Sequence, residues 1–198
     1  SLSVYRLKGT RIAQTAIAFL FIWAPLSFGG EPANVTFEYY TISGSSAREL
    51  RKEINRLGPV DDRGQRFDGN TKWSIRWNYR LKNSATNCRL DELTPSVHVT
   101  ITLPKWEKES DTSGQLIEKW DRYLATLTLH EEGHKKIAEE AATEIVRRTE
   151  EIEAKSTCDE VKEAVGVMVN QVLEECRKRN RQYDEETDHG KTQGALFP

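Results

Sequence analysis

The feature that most constrains the fold is a stripe of mainly apolar and aromatic residues after Ser113, which recurs at steps of three and four. This spacing is one face of a helix with 3.6 residues per turn, so it predicts a long amphipathic helix packed against the rest of the chain. Ser113 favours an N-cap, and we expect the helix to reach residues 150–153. The stripe consists of Leu116, Trp120, Tyr123, Leu127, His130, His134, Ile137, Ala141 and Ile145.

Two histidines of this stripe belong to a His-Glu-x-x-His sequence formed by His130, Glu131 and His134. Residues four apart share a helix face, so both imidazoles can reach one zinc ion at about 2.0–2.1 Å. Glu131 then lies beside the metal and can take a proton from water. The pattern predicts a zinc site with a catalytic base. The alternative is an exposed acidic helix in which two histidines fall four apart by chance.

A catalytic zinc needs three protein ligands and an open position for water. A third histidine six residues after His134 is not present, because that position is Glu140. Glu151 and Glu153 are alternatives, but both lie in a run of charged residues. We favour His189, which lies in a segment without helical periodicity, where the backbone can bend back towards the site.

Two residues close to His189 in the sequence are candidates for supporting roles. Asp184 is expected to orient a ligand imidazole through its carboxylate. Tyr183 is expected to hydrogen-bond to charge that develops in the transition state.

The composition suits one globular domain. A chain of 198 residues can bury a core, and five Trp, six Tyr and six Phe are too many for a disordered segment. The formal net charge of −2 does not indicate the basic surface that nucleic-acid binding requires, so nucleic acid is not an expected partner.

The N-terminus has the pattern of a secretory signal peptide. Arg6, Lys8 and Arg11 precede the apolar residues 12–26, and Ser27 and Gly29 are small residues near a cleavage site. The apolar run is shorter than the roughly 20 residues that a membrane-spanning helix needs. We expect residues 1–30 to be removed, residues 31–198 to form an exported periplasmic or secreted domain, and no stable membrane insertion afterwards. A retained anchor or a buried helix is the alternative.

The remaining elements indicate an α+β fold. Ser46 begins a short helix that ends at Leu57, and alternating residues predict strands over 73–79 and 97–103, the latter ended by Pro104. Residues 82–94 are expected to form a loop. A capping box at Thr157 begins a second amphipathic helix to about Lys178. The predicted architecture is a small antiparallel or mixed sheet packed on the long His-Glu-x-x-His helix, plus this C-terminal helix.

Three cysteines fit an oxidising compartment. Cys158 and Cys176 flank one predicted helix, which would separate them by roughly 27 Å. Disulfide-bonded cysteines need Cα atoms within about 7 Å. This separation excludes a Cys158–Cys176 bond. Of the remaining pairs we choose Cys88–Cys158, which leaves Cys176 as an odd thiol.

These residues together resemble a bacterial family named domain of unknown function 922, described as predicted secreted zinc-dependent proteases. The resemblance covers roughly residues 37–198. It implies a zincin-like domain with His130, His134 and His189 as zinc ligands and Glu131 as base, and it also favours the Cys88–Cys158 bond. The residues that carry it are Tyr39-Tyr40, Gly44, Leu50, Gly58-Pro59, Thr71, Trp73, Trp77, Cys88, Leu103-Pro104, Trp106, His130-Glu131, His134, Cys158, Tyr183-Asp184, Thr187, His189-Gly190 and Gln193-Gly194-Ala195.

The functional expectation is an exported zincin-like metallohydrolase, with Zn²⁺ as cofactor and a peptide or protein as substrate. An extended substrate is expected to pair with residues 97–103. The alternatives are a non-enzymatic binding module with a structural zinc, and a zinc amidase that acts on cell-wall peptides.

Overall fold

The computed structural model describes residues 33–197, so the expected signal peptide lies outside the described residues. Two single-turn 3₁₀ helices, Thr149–Glu151 and Lys191–Gln193, follow the last two α-helices. The α+β prediction is confirmed. The main elements in chain order are β1 (Asn34–Ser43), α1 (Ala47–Leu57), β2 (Asn70–Asn83), β3 (Cys88–Glu107), α2 (Gly114–Arg148) and α3 (Cys158–Thr187).

All three helices begin at the predicted caps. The side chains of Ser46 and Ser113 accept hydrogen bonds from main-chain N–H groups of the first helical turn. Thr157 forms a reciprocal capping box with Glu160. These contacts satisfy N–H groups that have no partner inside the helix. Helix α2 ends at Arg148, slightly before the predicted residues 150–153.

The three strands form one mixed sheet in the order β1-β3-β2. β1 runs parallel to β3, and β2 runs antiparallel to it. The loop predicted for residues 82–94 is wrong except at residues 84–87, because β2 continues to Asn83 and β3 already begins at Cys88, opposite Asn83. Pro104 does not end this strand, which continues to Glu107.

Both prolines of β3 lie where the strand has a neighbour on one side only. Pro95 pairs with Trp77 of β2, before the pairing with β1 begins. Pro104 pairs with Tyr40 of β1, after the pairing with β2 has ended. Proline lacks a main-chain N–H and is tolerated at such strand edges. This staggered pairing explains how the strand passes through both prolines.

The expectation that a substrate pairs with residues 97–103 is wrong. Residues 98–102 are hydrogen-bonded to β1 on one side and to β2 on the other. Their main-chain groups are therefore already used within the sheet.

Helix α2 packs against both the sheet and α3. Its buried side chains join those of Val97, Val99 and Ile101 of β3 and those of Val165 and Val172 of α3 in one hydrophobic core. Because α2 is covered on two sides, a residue in the middle of its buried stripe is held by tertiary packing.

Helix α3 is about two turns longer than predicted, because it continues beyond Lys178 to Thr187. Its buried stripe becomes polar there. Asn180, Tyr183, Asp184 and Thr187 continue at helical spacing from the buried Cys176. Apolar periodicity therefore stops before the helix does.

The predicted Cys88–Cys158 disulfide is present and joins the start of β3 to the start of α3. Cys176 is a buried free thiol. Main-chain hydrogen bonds between Cys88 and Lys155 hold the same ends together. Between residues 33 and 197, no helix is both long and apolar enough to cross a membrane.

We expect the disulfide to stabilise the domain, because it closes a loop across 70 residues. Its reduction should lower the free energy of unfolding in urea by about 2–5 kcal/mol. A thiol reagent should detect one thiol per denatured chain before reduction and three afterwards. Three thiols before reduction would contradict the assignment.

Candidate metal and catalytic site

The His-Glu-x-x-His residues lie buried in the middle of α2. His130 and Glu131 are each 3 % exposed and His134 is 7 % exposed. The two imidazoles contact Asp184 of α3, whereas the Glu131 carboxylate contacts Thr71 of β2. The alternative of an exposed acidic helix is therefore wrong, because the motif faces the two layers that enclose α2.

Three imidazoles converge on one oxygen of Asp184. Its Oδ1 lies 3.3 Å from Nε2 of His130, 3.1 Å from Nε2 of His134 and 3.4 Å from Nδ1 of His189. The residues that the sequence singled out in the motif and in the C-terminal segment thus lie together in space.

Three of these residues are close enough to hold one metal ion. A ring nitrogen of His130, a ring nitrogen of His134 and a carboxylate oxygen of Asp184 lie within 4.8 Å of one another. Two imidazoles and a carboxylate are donors that suit zinc, although other divalent transition metals accept them too. His189 contacts Asp184 but does not belong to this group of three, and its side chain is 41 % exposed.

The charges of the cluster favour a bound cation. Burial acts to raise the pKa of Asp184, but hydrogen bonds with His130 and His134 outweigh it and hold that pKa well below its usual value. Burial acts to lower the pKa of His134, yet the hydrogen bond and charge of Asp184 raise it. A histidine that binds a metal must be neutral, and with neutral imidazoles the carboxylates of Asp184 and Glu131 leave the site negatively charged. A cation there would offset that charge.

Glu131 has a partner of its own in the sheet. Thr71 donates from Oγ1 to Oε2 of Glu131 at 2.7 Å, and the backbone of Gly69 packs against the same carboxylate. Burial raises the pKa of Glu131, while Thr71 and the two histidines act in the opposite direction. A carboxylate with a raised pKa is a better proton acceptor, so this environment suits a general base.

Tyr183 packs against both histidines of the motif. Its ring is stacked on His130, with centroids 5.0 Å apart and 13° between the planes, and meets His134 edge-on at the same distance. Its hydroxyl accepts a hydrogen bond from Nε2 of Gln193 at 3.0 Å. The described contacts of Tyr183 thus hold the imidazoles in place. The role in stabilising developing charge stays a prediction.

The turn after α3 brings His189 to the cluster. Asp188, His189 and Gly190 have φ angles of 45°, 53° and 83°, so three consecutive residues are left-handed. Such a conformation costs roughly 1–2 kcal/mol for each non-glycine residue. Gly190 is required at the third position, because a Cβ there would lie 2.9 Å from Cγ of His130. Phe67 packs on the His189 ring, with centroids 4.9 Å apart.

A family of bacterial proteins of unknown function, DUF922, matches residues 37–190. The chain belongs to the DUF922 family. The part that matches DUF922 contains all three imidazoles, Asp184 and Glu131. No curated protein and no solved structure matches the chain.

Several residues of this DUF922 site were given no role by the sequence. Asn180 contacts Nδ1 of His134 at 2.7 Å, and Gln193 contacts Nδ1 of His130 at 3.0 Å. Thr187 and Thr71 also contact the motif and were given no role. Asp184 was expected only to orient a ligand imidazole, not to bind the metal. The detectable signal for the α3 residues is their spacing, because Asn180, Asp184 and Thr187 continue the buried stripe from Cys176.

Gly133 gives a direct test of the Tyr183 packing. A Cβ at this position would lie 2.3 Å from the Tyr183 hydroxyl, whereas a Cβ at Gly166 of α3 would meet nothing within 4 Å. Alanine in a helix is favoured over glycine by about 1 kcal/mol. Gly166→Ala should therefore raise the free energy of unfolding by up to about 1 kcal/mol, whereas Gly133→Ala should lower it by about 1–2 kcal/mol. Urea denaturation of both variants measures this; equal stabilisation would contradict the packing.

Proposed function

We propose that this DUF922 protein is an exported zinc-dependent metallopeptidase. The observation that carries the proposal is the burial of His130 and His134 against Asp184, with Glu131 beside them and held by its own hydrogen bond. A structural zinc site has no need of such a carboxylate.

We assign the zinc ligands to His130, His134 and His189. The first two face the cluster through Nε2, and the left-handed turn brings His189 to the same Asp184 oxygen. Three imidazoles would leave a fourth position for water, and Asp184 would hydrogen-bond to the ligand set.

When bound, zinc supplies Lewis acidity that makes water more acidic and polarises a carbonyl group. Glu131 takes the proton of the attacking water and later delivers it to the departing amine. Thr71 keeps the Glu131 carboxylate in one orientation during both transfers. Burial of this carboxylate excludes water that would compete as a proton donor.

Strand β2 suits an extended peptide as substrate. Within the described residues, it has one neighbour in the sheet, β3, and its second residue, Thr71, contacts Glu131. An extended peptide can add to the free side of such an edge strand. We therefore propose that an extended peptide pairs with β2 and not with residues 97–103.

Export is supported by the disulfide, because such bonds persist mainly in oxidising compartments. The signal-like residues 1–30 support the same proposal.

A second candidate is a binding module with a structural zinc, and the position of Asp184 favours it. Its Oδ1 lies within hydrogen-bonding range of all three imidazoles, so it could supply a fourth protein ligand. Four protein ligands would close the position that water needs.

Zinc content separates these ligand sets. We expect one zinc per wild-type chain and loss of zinc from His134→Ala and His189→Ala, because each substitution removes an assigned ligand. Elemental analysis after dialysis against zinc measures this, with His98→Ala as the control, because His98 is a half-buried histidine of β3 that does not belong to the candidate metal-binding group. If His189→Ala keeps full zinc occupancy, the third zinc ligand is Asp184 and not His189. A wild type that binds no zinc would overturn the metallopeptidase proposal.

Glu131→Gln separates the enzyme from the binding module. The amide is nearly isosteric, so the variant should bind zinc as the wild type does. Hydrolysis of an unfolded protein substrate should fall about 10²–10⁴-fold, because the general base is lost. Unchanged hydrolysis in this variant would exclude Glu131 as the base, and a wild type that binds zinc without any hydrolysis of peptides would favour the binding module.

A further inference from the structure

We propose that Asn180 and Gln193 are positioning residues that place the ring proton of His134 and of His130 on Nδ1, which leaves both Nε2 atoms free to bind the metal. This inference rests on the proposed metal function. It deepens that function by naming the groups that decide which nitrogen of each histidine is the ligand.

The orientation of the Asn180 amide is fixed from its nitrogen side. Its Nδ2 donates to the main-chain oxygen of Cys176 at 2.9 Å, one helical turn earlier. The amide oxygen must therefore face His134, where Oδ1 lies 2.7 Å from Nδ1. An amide oxygen only accepts hydrogen bonds, so Nδ1 of His134 carries the hydrogen. Nε2, which lies 3.1 Å from Asp184, is then the nitrogen whose lone pair a metal ion can take, in place of any proton shared with Asp184.

Gln193 offers an acceptor to His130 from a different part of the chain. Its Oε1 lies 3.0 Å from Nδ1 of His130, and its Nε2 lies 3.0 Å from the Tyr183 hydroxyl, which is also within 3.4 Å of Oε1. A hydroxyl can both accept and donate, so Thr187 rather than Tyr183 decides which end of this amide faces the ring. With Oε1 towards the ring, Nδ1 of His130 carries the hydrogen, and Nε2 faces Asp184.

Thr187 provides independent support for the proton position on His130. Its hydroxyl donates to the main-chain oxygen of Tyr183 at 2.7 Å. The hydroxyl can then only accept from Nδ1 of His130, which lies 3.5 Å away. Two acceptors thus face the same ring nitrogen.

Loss of the Asn180 amide would leave the buried N–H of His134 without a partner. Loss of the Gln193 amide would leave the N–H of His130 only the longer 3.5 Å contact with Thr187. Either loss would allow the ring to rotate. A buried donor without an acceptor is costly, so the imidazole would adopt other orientations in which Nε2 no longer faces the site. Groups that orient metal-bound histidines change metal affinity by 10–100-fold when they are removed.

The test uses the full chain loaded with zinc and compares Asn180→Leu with Gln193→Leu. We expect each variant to bind zinc about 10–100-fold more weakly in competition with a chelator. In proton–nitrogen NMR spectra of the zinc form, the slowly exchanging Nδ1–H signal should be lost from His134 in Asn180→Leu and from His130 in Gln193→Leu. General destabilisation would not select one histidine in each variant.

Two further variants serve as controls. Gln193→Glu keeps an acceptor for His130, and the Tyr183 hydroxyl can turn to donate to the carboxylate, so this variant should keep wild-type zinc affinity and the His130 signal. Gln182→Leu makes the same kind of change on α3, where Gln182 is exposed and bonds to Glu186, and it should change neither. Gln193 is itself exposed, so its substitution leaves the core intact.

Failure of the proposed metal function and failure of this inference give different results. A wild type without zinc would overturn the proposed function and this inference together. A wild type that binds zinc, with Asn180→Leu and Gln193→Leu that bind it equally well and keep both signals, would overturn only the inference. Loss of affinity in Gln193→Glu equal to that in Gln193→Leu would also overturn it, because the acceptor would then be irrelevant.

Discussion

The enclosure of a polar segment in the middle of α2 is the constraint on which the rest of the structure depends. Polar groups removed from water must find hydrogen-bond partners, or folding loses free energy. The partners come from separate elements. Thr71 of β2 donates a hydrogen bond to Glu131, and Asp184 of α3 contacts both histidines. Gln193, in the turn after α3, contacts His130. The sheet and α3 are therefore fixed to α2 by directional contacts as well as by apolar packing.

Much of the fold could be predicted because its signals are local. Ser46, Ser113 and Thr157 cap helices through contacts within their own first turns, and the alternation of Val97, Val99 and Ile101 reports one buried strand face. The His-Glu-x-x-His spacing likewise placed two imidazoles on one helix face. The length of the intervening helix excluded a Cys158–Cys176 bond, and the family resemblance favoured Cys88–Cys158.

The missed features depend on tertiary context. The last turns of α3 have no apolar stripe, because the positions that face α2 hold the half-buried Asn180 and Asp184 and the buried Thr187, which serve the site. A proline usually ends a strand because it lacks a main-chain N–H. Pro104 is tolerated within β3 because the strand has no neighbour on the β2 side at that residue. The closeness of Asp184 to three imidazoles depends on how α3 packs on α2. No spacing along the chain encodes this distance.

The order of the site residues along the chain has a consequence for biosynthesis. The base and two imidazoles lie on α2, whereas Asp184, His189 and Gln193 lie on α3 and in the turn that follows it, and the buried Phe197 packs on Trp120 and Tyr123. A chain synthesised from its N-terminus can form the sheet and α2 first, yet the cluster stays incomplete until Gln193 has emerged. A nascent chain that has not reached Gln193 would therefore carry an unassembled centre. Assembly of the site is in this way coupled to the synthesis of α3 and the turn after it.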